Sequence, residues 1–236
     1  MRKVTTLTIV LMFILVSAAF AQKPRAYLSL SAGLSQPYSD FASTDFDNPE
    51  SGYANNGVNI NLSYAHRLTY NIGVTGSVSI NSNSINTGAL KEDIIGDTLG
   101  LASTIDTRNW GAGGLLVGPF LYLPIGKSFS IDIRALIGLY NAYSPEVVIS
   151  GAKPNGENYY LRLLKYNGVG FAYDVGSTLR YKVGRTSYLV VNGDWFASTV
   201  NFKDIPWLDE DGAITTTSFK QNFSLLNLTI GIAYAL

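Results

Sequence analysis

Cysteine is absent from this chain of 236 residues, histidine occurs once and methionine twice, and 17 basic residues balance 17 acidic ones. Each shortage excludes something. Without cysteine, a secreted domain of this size has no disulfide framework, and its stability must come from elsewhere. One histidine and no cysteine leave nothing from which to build a zinc site. Zero net charge gives no footprint for a nucleic-acid partner. Long hydrophobic runs are missing too: beyond the first residues no stretch of about 18 apolar residues occurs, so no membrane helix is expected. A chain of this kind that spans a membrane does so as a barrel.

What is present begins with an export signal. Arg2 and Lys3 precede an apolar run from Leu7 to Val16, interrupted only by Thr8, and Ala19-Phe20-Ala21 then supplies a small-x-small cleavage pattern. The run is too short for a membrane anchor, which needs about 20 apolar residues. Residues 1–21 are therefore read as a cleaved signal peptide, and 22–236 as one mature domain. No cysteine follows the cleavage site, so lipoprotein anchoring is excluded. The 23 Gly, 15 Tyr and 11 Phe, set against few charges, fit an all-β chain with many turns.

Alternation of apolar and polar residues runs almost the length of the mature chain. Val58-Asn59-Ile60-Asn61-Leu62-Ser63-Tyr64 alternates without a fault, and residues 70–81 do the same with Gly76 as the one gap. Near the end, Leu226, Leu228, Ile230, Ile232, Tyr234 and Leu236 share one face. Strands are expected near 25–35, 54–66, 70–84, 109–123, 128–143, 167–182, 187–201 and 220–236. Short turns (His66 to Thr69, Pro124 to Lys127, Lys182 to Thr186) alternate strictly with long loops (36–53, 85–108, 144–166, 202–219). A soluble sandwich has no reason to keep that alternation. It is the layout of an eight-stranded antiparallel up-and-down transmembrane β-barrel with short periplasmic turns and long extracellular loops.

Turning the apolar face of each strand towards lipid points Asp132, Arg134, Asp174, Arg180, Asn192 and Asp194 inward. Buried charges must be paired, and two Arg with three Asp on neighbouring strands are read as a structural salt-bridge network. An eight-stranded barrel is only wide enough to be filled by its own side chains, which argues against an open pore. Aromatic residues gather near the expected membrane borders: Tyr64, Tyr70, Phe129, Tyr181, Tyr188 and Tyr234 on the turn side, Trp110, Tyr143, Trp195 and Phe223 on the loop side. These are expected to form two interfacial girdles.

At this point the chain resembles the small outer-membrane β-barrel family that includes OmpX-like and OmpA-transmembrane-like proteins, over the whole mature domain. The residues that carry the resemblance are Gly118-Pro119-Phe120-Leu121-Tyr122-Leu123-Pro124, similar to the fourth strand and turn of such barrels, and the last strand, Leu228 to Leu236. That strand is similar to the signal read by the barrel-assembly machinery, although the signal usually ends in an aromatic residue and here the last residue is Leu236. The resemblance implies residence in the outer membrane of a Gram-negative bacterium, in contact with lipid and lipopolysaccharide. No peptidoglycan-binding domain is expected.

Some small barrels are acyltransferases, deacylases or proteases, which place a His with a Ser or Asp near the outer rim. Here the one histidine, His66, falls at a periplasmic turn, so no catalytic site, cofactor or metal site is expected. Loops 36–53 (Asp40, Asp45, Asp47, Glu50) and 202–219 (Asp204, Asp209, Glu210, Asp211) are acidic. They are read as solvated surface, with a divalent-cation site as the alternative. In loop 144–166, Lys153-Pro154-Asn155-Gly156-Glu157 is a hairpin turn between two apolar arms. The hairpin, with Val147, Ile149, Tyr159, Tyr160 and Leu161, is a candidate partner-binding edge. The function expected is therefore that of a non-enzymatic envelope structural or surface-interaction barrel. A subunit of a secretion or gliding machine, and a narrow channel for small solutes, stay open as alternatives.

Overall fold

A computed structural model describes residues 25–98, 104–152, 158–208 and 214–236. The expected signal peptide and the hairpin turn at 153–157 lie outside the described residues. Eleven strands and one α-helix follow in order, with a 3-10 turn at Ser39–Phe41 after the first strand: β1 (Ala26–Pro37), β2 (Ala54–Arg67), β3 (Ile72–Ile85), α1 (Thr87–Thr98), β4 (Thr104–Thr107), β5 (Trp110–Ile125), β6 (Phe129–Tyr143), β7 (Val147–Ala152), β8 (Asn158–Leu163), β9 (Asn167–Lys182), β10 (Ser187–Leu208) and β11 (Ile214–Ala235).

Eight of these strands close a ring. β1, β2, β3, β5, β6, β9, β10 and β11 pair antiparallel in sequence, and β1 pairs in turn with β11, from Tyr27↔Ala235 to Pro37↔Leu225. The fold is a closed eight-stranded up-and-down barrel; seven of its strands begin within two residues of the positions read from alternation, and β11 begins six residues before the expected 220. Closure leaves no edge in the wall, so every backbone donor and acceptor of the ring can be met within it.

The period-two pattern sets which face meets which medium. Leu30, Leu34, Ile60, Ile80, Leu115, Leu139, Val169, Leu228 and Ile230 all stand exposed on the outside. On the same strands Ser31, Asn59, Ser79, Asp132, Asp174, Asn192, Asn227 and Thr229 are buried inside. An apolar exterior around a polar interior inverts the rule for water-soluble proteins and suits a barrel solvated by lipid.

The loop side departs from the expected layout in two ways. The connection between β3 and β5 holds α1 and β4 rather than irregular chain. The last hairpin also continues beyond the barrel: β10 and β11 stay paired to Leu208↔Ile214, past a register shift between Phe202 and Ile205. Asp204 lies inside that shift at φ 54°, a left-handed conformation that Asp tolerates better than most residues. The β10 extension then pairs with β8 through Trp207↔Leu163 and Leu208↔Arg162, β8 pairs with β7, and β7 with β4. A five-stranded outer sheet, β11–β10–β8–β7–β4, thus extends from the barrel wall.

Candidate functional site

The interior gathers the buried polar side chains, and the outer sheet bears an apolar cleft. On the turn side of the lumen, Arg180 forms an ion pair with Asp132 at 2.5 Å, both side chains almost wholly buried. One layer further in, Arg134 from β6 reaches across β9 to donate hydrogen bonds to Asp194 of β10 and to Thr178. Its Nε lies 3.8 Å from Asp174 Oδ1. The five charged residues picked out by strand parity therefore all face inward, in two groups: Arg180 with Asp132, and Arg134 with Asp174 and Asp194.

The sequence reading missed the residues that make room for these pairs and extend them. Gly176 stands in register between Arg134 and Asp194 on the strand that separates them. A Cβ there would lie 1.9 Å from Asp194 Oδ1. Only glycine lets the carboxylate cross that strand. Thr178 passes the network on, its hydroxyl donating to Asn192 Oδ1 at 2.7 Å, and Asn192 Nδ2 donates to Ser31 Oγ at 3.0 Å and Thr229 Oγ1 at 2.9 Å. Across the lumen Asn59 Nδ2 donates to Ser79 Oγ and Asn81 Oδ1, both at 2.8 Å, and Asn81 Nδ2 donates to Tyr140 Oη at 3.1 Å. Such chains satisfy groups that would each cost free energy if buried alone.

Towards the loop side the lumen turns apolar. Leu116, Leu136, Tyr140, Phe196, Phe202, Phe223 and Trp110 form one buried cluster, and Phe41 from the β1–β2 connection drops into it. Phe41 meets Phe223 at 4.7 Å and Trp110 at 5.7 Å between ring centroids. This corrects the expected loop-side girdle: Trp110 (5 % exposed) and Phe223 (1 % exposed) are core, not interface. Tyr188 is likewise half-buried at the lumen end, edge-on to Tyr27 at 5.5 Å. Tyr64, Tyr70, Phe129, Tyr181, Tyr234, Tyr143 and Trp195 do face outward.

The β1–β2 connection is fastened over the mouth instead of extending freely as an acidic loop. Trp110 Nε1 donates to the carbonyl of Gly52 at 2.9 Å, Gln221 Nε2 to that of Glu50 at 2.9 Å, and Lys220 pairs with the Glu50 carboxylate at 2.9 Å. Asn222 donates to both Asp40 and Glu50. Tyr53 Oη donates to Asp93 Oδ2 on α1 at 2.8 Å, and desolvation together with that bond raises its phenol above the usual range. Among the described residues no three acidic or histidine side chains converge as metal ligands. Asp209, Glu210 and Asp211 lie outside the described residues. With plugs of two chemistries in series, the gap left between Ser63, Thr75, Phe120, Asp132, Arg134 and Arg180 measures about 10 Å³. That is about the space of one water molecule.

The predicted hairpin is β7–β8. Its edges are not both open: β4 covers Val147 to Ser150, and β10 covers Arg162 and Leu163. Val147, Ile149 and Leu161 line an apolar cleft of about 460 Å³ with Leu163, Trp207 of β10 and Leu90 of α1, while Tyr160 is exposed. The side chain of Tyr159 lies outside the described residues. Glu146 tethers the hairpin base, taking a hydrogen bond from Arg162 Nε at 2.8 Å and lying 3.3 Å from Arg108 Nε. The Arg162 hydrogen bond, with both positive charges nearby, holds the Glu146 carboxyl below the usual range. His66 stands at the turn end on the outer face, its ring stacked on Tyr64 with centroids 6.5 Å apart.

No protein-family model matches this sequence, and no curated protein is similar to it. In structure the chain is similar to a major outer membrane protein from Thermus thermophilus, with 11% identity over 91% of this chain and 100% of that one (TM-score 0.49). It is similar to Ail, the attachment invasion locus protein of Yersinia pestis, with 15% identity over 90% and 100% (TM-score 0.45). Neisserial surface protein A is similar at 10% identity over 89% and 97% (TM-score 0.44).

Proposed function

We propose that this chain is an integral outer-membrane barrel without enzymatic activity that acts through its outer sheet. The observation that carries the reading is a contrast within one molecule. The lumen is filled across its middle by the ion-pair layers and at its loop end by the aromatic cluster, while the loop side raises a five-stranded sheet that holds an apolar cleft clear of the wall. A belt of exposed aliphatic residues supports lipid as the surrounding medium, with lipopolysaccharide at the loop-side border. The final strand, through Tyr234 to Leu236, supports delivery by the barrel-assembly machinery. A histidine-based acid–base pair has no support at the loop-side rim, because the chain's one histidine is at the other end.

Two measurements test the reading. Deleting residues 150–160 is expected to leave the barrel folded, seen as a fast gel band that slows on boiling. Binding of the nanodisc-embedded protein to immobilised outer-membrane vesicles is expected to be lost. Undiminished binding by the deletion variant would remove the sheet from the account. Planar-bilayer recordings of the intact protein are expected to show little or no conductance, and steady ionic current would favour the narrow channel.

A further inference from the structure

The outer sheet ends in two strand edges, and the chain guards only one of them. At one end β4 is four residues long, carries Asp106 and is followed by Arg108, and short charged strands resist edge-to-edge pairing. At the other end, β11 holds no charged residue and no proline from Ile214 to Phe219, and Ile214 to Ser218 are exposed. β1 pairs with β11 only as far as Pro37↔Leu225. The β1–β2 connection then covers Asn222, Gln221 and Lys220 through Asp40 and Glu50. Among the described residues β11 pairs with no strand but β1 and β10, so one side of Ile214 to Ser218 is open.

Parity tells which backbone groups that side presents. Tyr38 N–H donates to the Ser224 carbonyl, and Leu236 N–H to that of Ala26, both at 3.0 Å. The even-numbered residues of β11 therefore turn their backbone groups away from β10, and Ile214, Thr216 and Ser218 aim N–H and C=O at the open side. Pro206, opposite Thr216 on β10, obeys the same parity: its carbonyl accepts from Leu164 N–H at 3.2 Å, on the side away from β11. The apolar cleft of about 460 Å³ reaches this same strand, where Thr216 and Thr217 line it beside Trp207.

From this placement we infer that the open edge of β11 binds an extended, uncharged segment of a partner protein, added as one more strand with a bulky apolar side chain in the cleft. The inference rests on the proposed role of the outer sheet and names the chemistry of its partner. A row of N–H and C=O groups is matched by a backbone in the same extended conformation, and the alternate side chains of the added strand supply selectivity. No charge stands on the edge to compensate one on the segment, so a charged segment would lose hydration without return. The cleft, walled by Ile149, Leu161, Leu163 and Trp207, selects an apolar side chain in the same way.

The test uses the full mature barrel in nanodiscs and a fluorescent peptide alternating threonine with leucine, followed by anisotropy. Saturable binding is expected. N-methylation of the leucine amides and of the threonine amides should act oppositely: the set that faces β11 abolishes binding and the other is tolerated. Thr216→Pro removes an edge N–H but no bond to β10, so the gel shift of a folded barrel is expected to stay while the peptide binds roughly tenfold more weakly or worse. Absence of saturable binding, equal binding by Thr216→Pro, or equal effects of the two methylated sets overturns the inference. Dimers of the unliganded barrel in light scattering, lost in Thr216→Pro, would overturn it too, by giving the edge to a second copy. The role of the outer sheet itself falls only if the 150–160 deletion keeps its vesicle binding, so the two ideas fail separately.

Discussion

The two halves of the barrel interior fill the same cross-section with opposite chemistry. On the turn side, Arg134, Asp194, Asn192, Arg180 and Asp132 are held by ion pairs and hydrogen bonds that each require a particular partner. On the loop side, Phe41, Trp110, Tyr140, Phe196 and Phe223 are held by shape and apolar contact. The difference decides how each half fails. Losing one member of the polar half strands a charge in a dry place, whereas losing one ring of the aromatic half leaves a void that neighbours partly fill.

The largest effect is expected from Arg134→Leu, which leaves Asp194 buried beside Asp174 without its cation. A loss of about 3–5 kcal/mol is expected, read from urea unfolding in micelles. The double variant Arg134→Leu/Asp194→Leu sharpens the comparison, because removing both charges is expected to recover much of that loss. If the double variant is as unstable as the single one, pairing is not what holds the polar half. Phe223→Ala on the apolar side is expected to cost about 3–5 kcal/mol through cavity formation, and small hydrophobic additives should recover part of it. The same additives should do nothing for Arg134→Leu, which is the clearest way to tell the halves apart.

Smaller effects follow from groups at the margins of the network. Asp174→Asn keeps the shape and removes a charge 3.8 Å from Arg134, so a loss of about 1 kcal/mol in thermal unfolding is expected. If only ion permeability changed, the network would be a conduction element, not a structural one. The smallest effect is local. Glu146→Gln should leave global unfolding unchanged and speed proteolysis of the β7–β8 hairpin. Because the folded carboxyl is depressed, the tether contributes fully above the ordinary Glu value and is lost as pH falls through the lowered one. Proteolysis of the unsubstituted hairpin should therefore accelerate in acid.

Parity made the wall legible in the sequence, because a lipid-facing side chain and a luminal one must alternate. It identified the ring of eight strands, the short turns and the inward direction of Asp132, Arg134, Asp174, Arg180 and Asp194. Trp110 and Phe223 were misplaced by weighing nearness to the border above parity. Phe223 shares its face with Asn227 and Thr229, and that signal was present. The β10 extension was hidden for a physical reason. Across the bulge the buried positions Phe202 and Ile205 fall three residues apart, and Ile214 to Ser218 are exposed at every position. Helix α1 offers no clean 3.6-residue stripe in Thr87 to Thr98, and Gly176 looks like any strand glycine until Arg134 and Asp194 are placed on either side.

Closure of the ring by β1 and β11 has a kinetic consequence. Tyr27 pairs with Ala235, partners about 200 residues apart in the chain, while most other wall contacts join neighbouring hairpins. Hairpins can zip early and locally, but the seam forms only when the last strand arrives. Until then β1 presents an unpaired edge. Seam formation should therefore limit the rate of refolding, and a change at Leu34 or Leu228 should slow closure far more than the same change at Ile60 or Ile80.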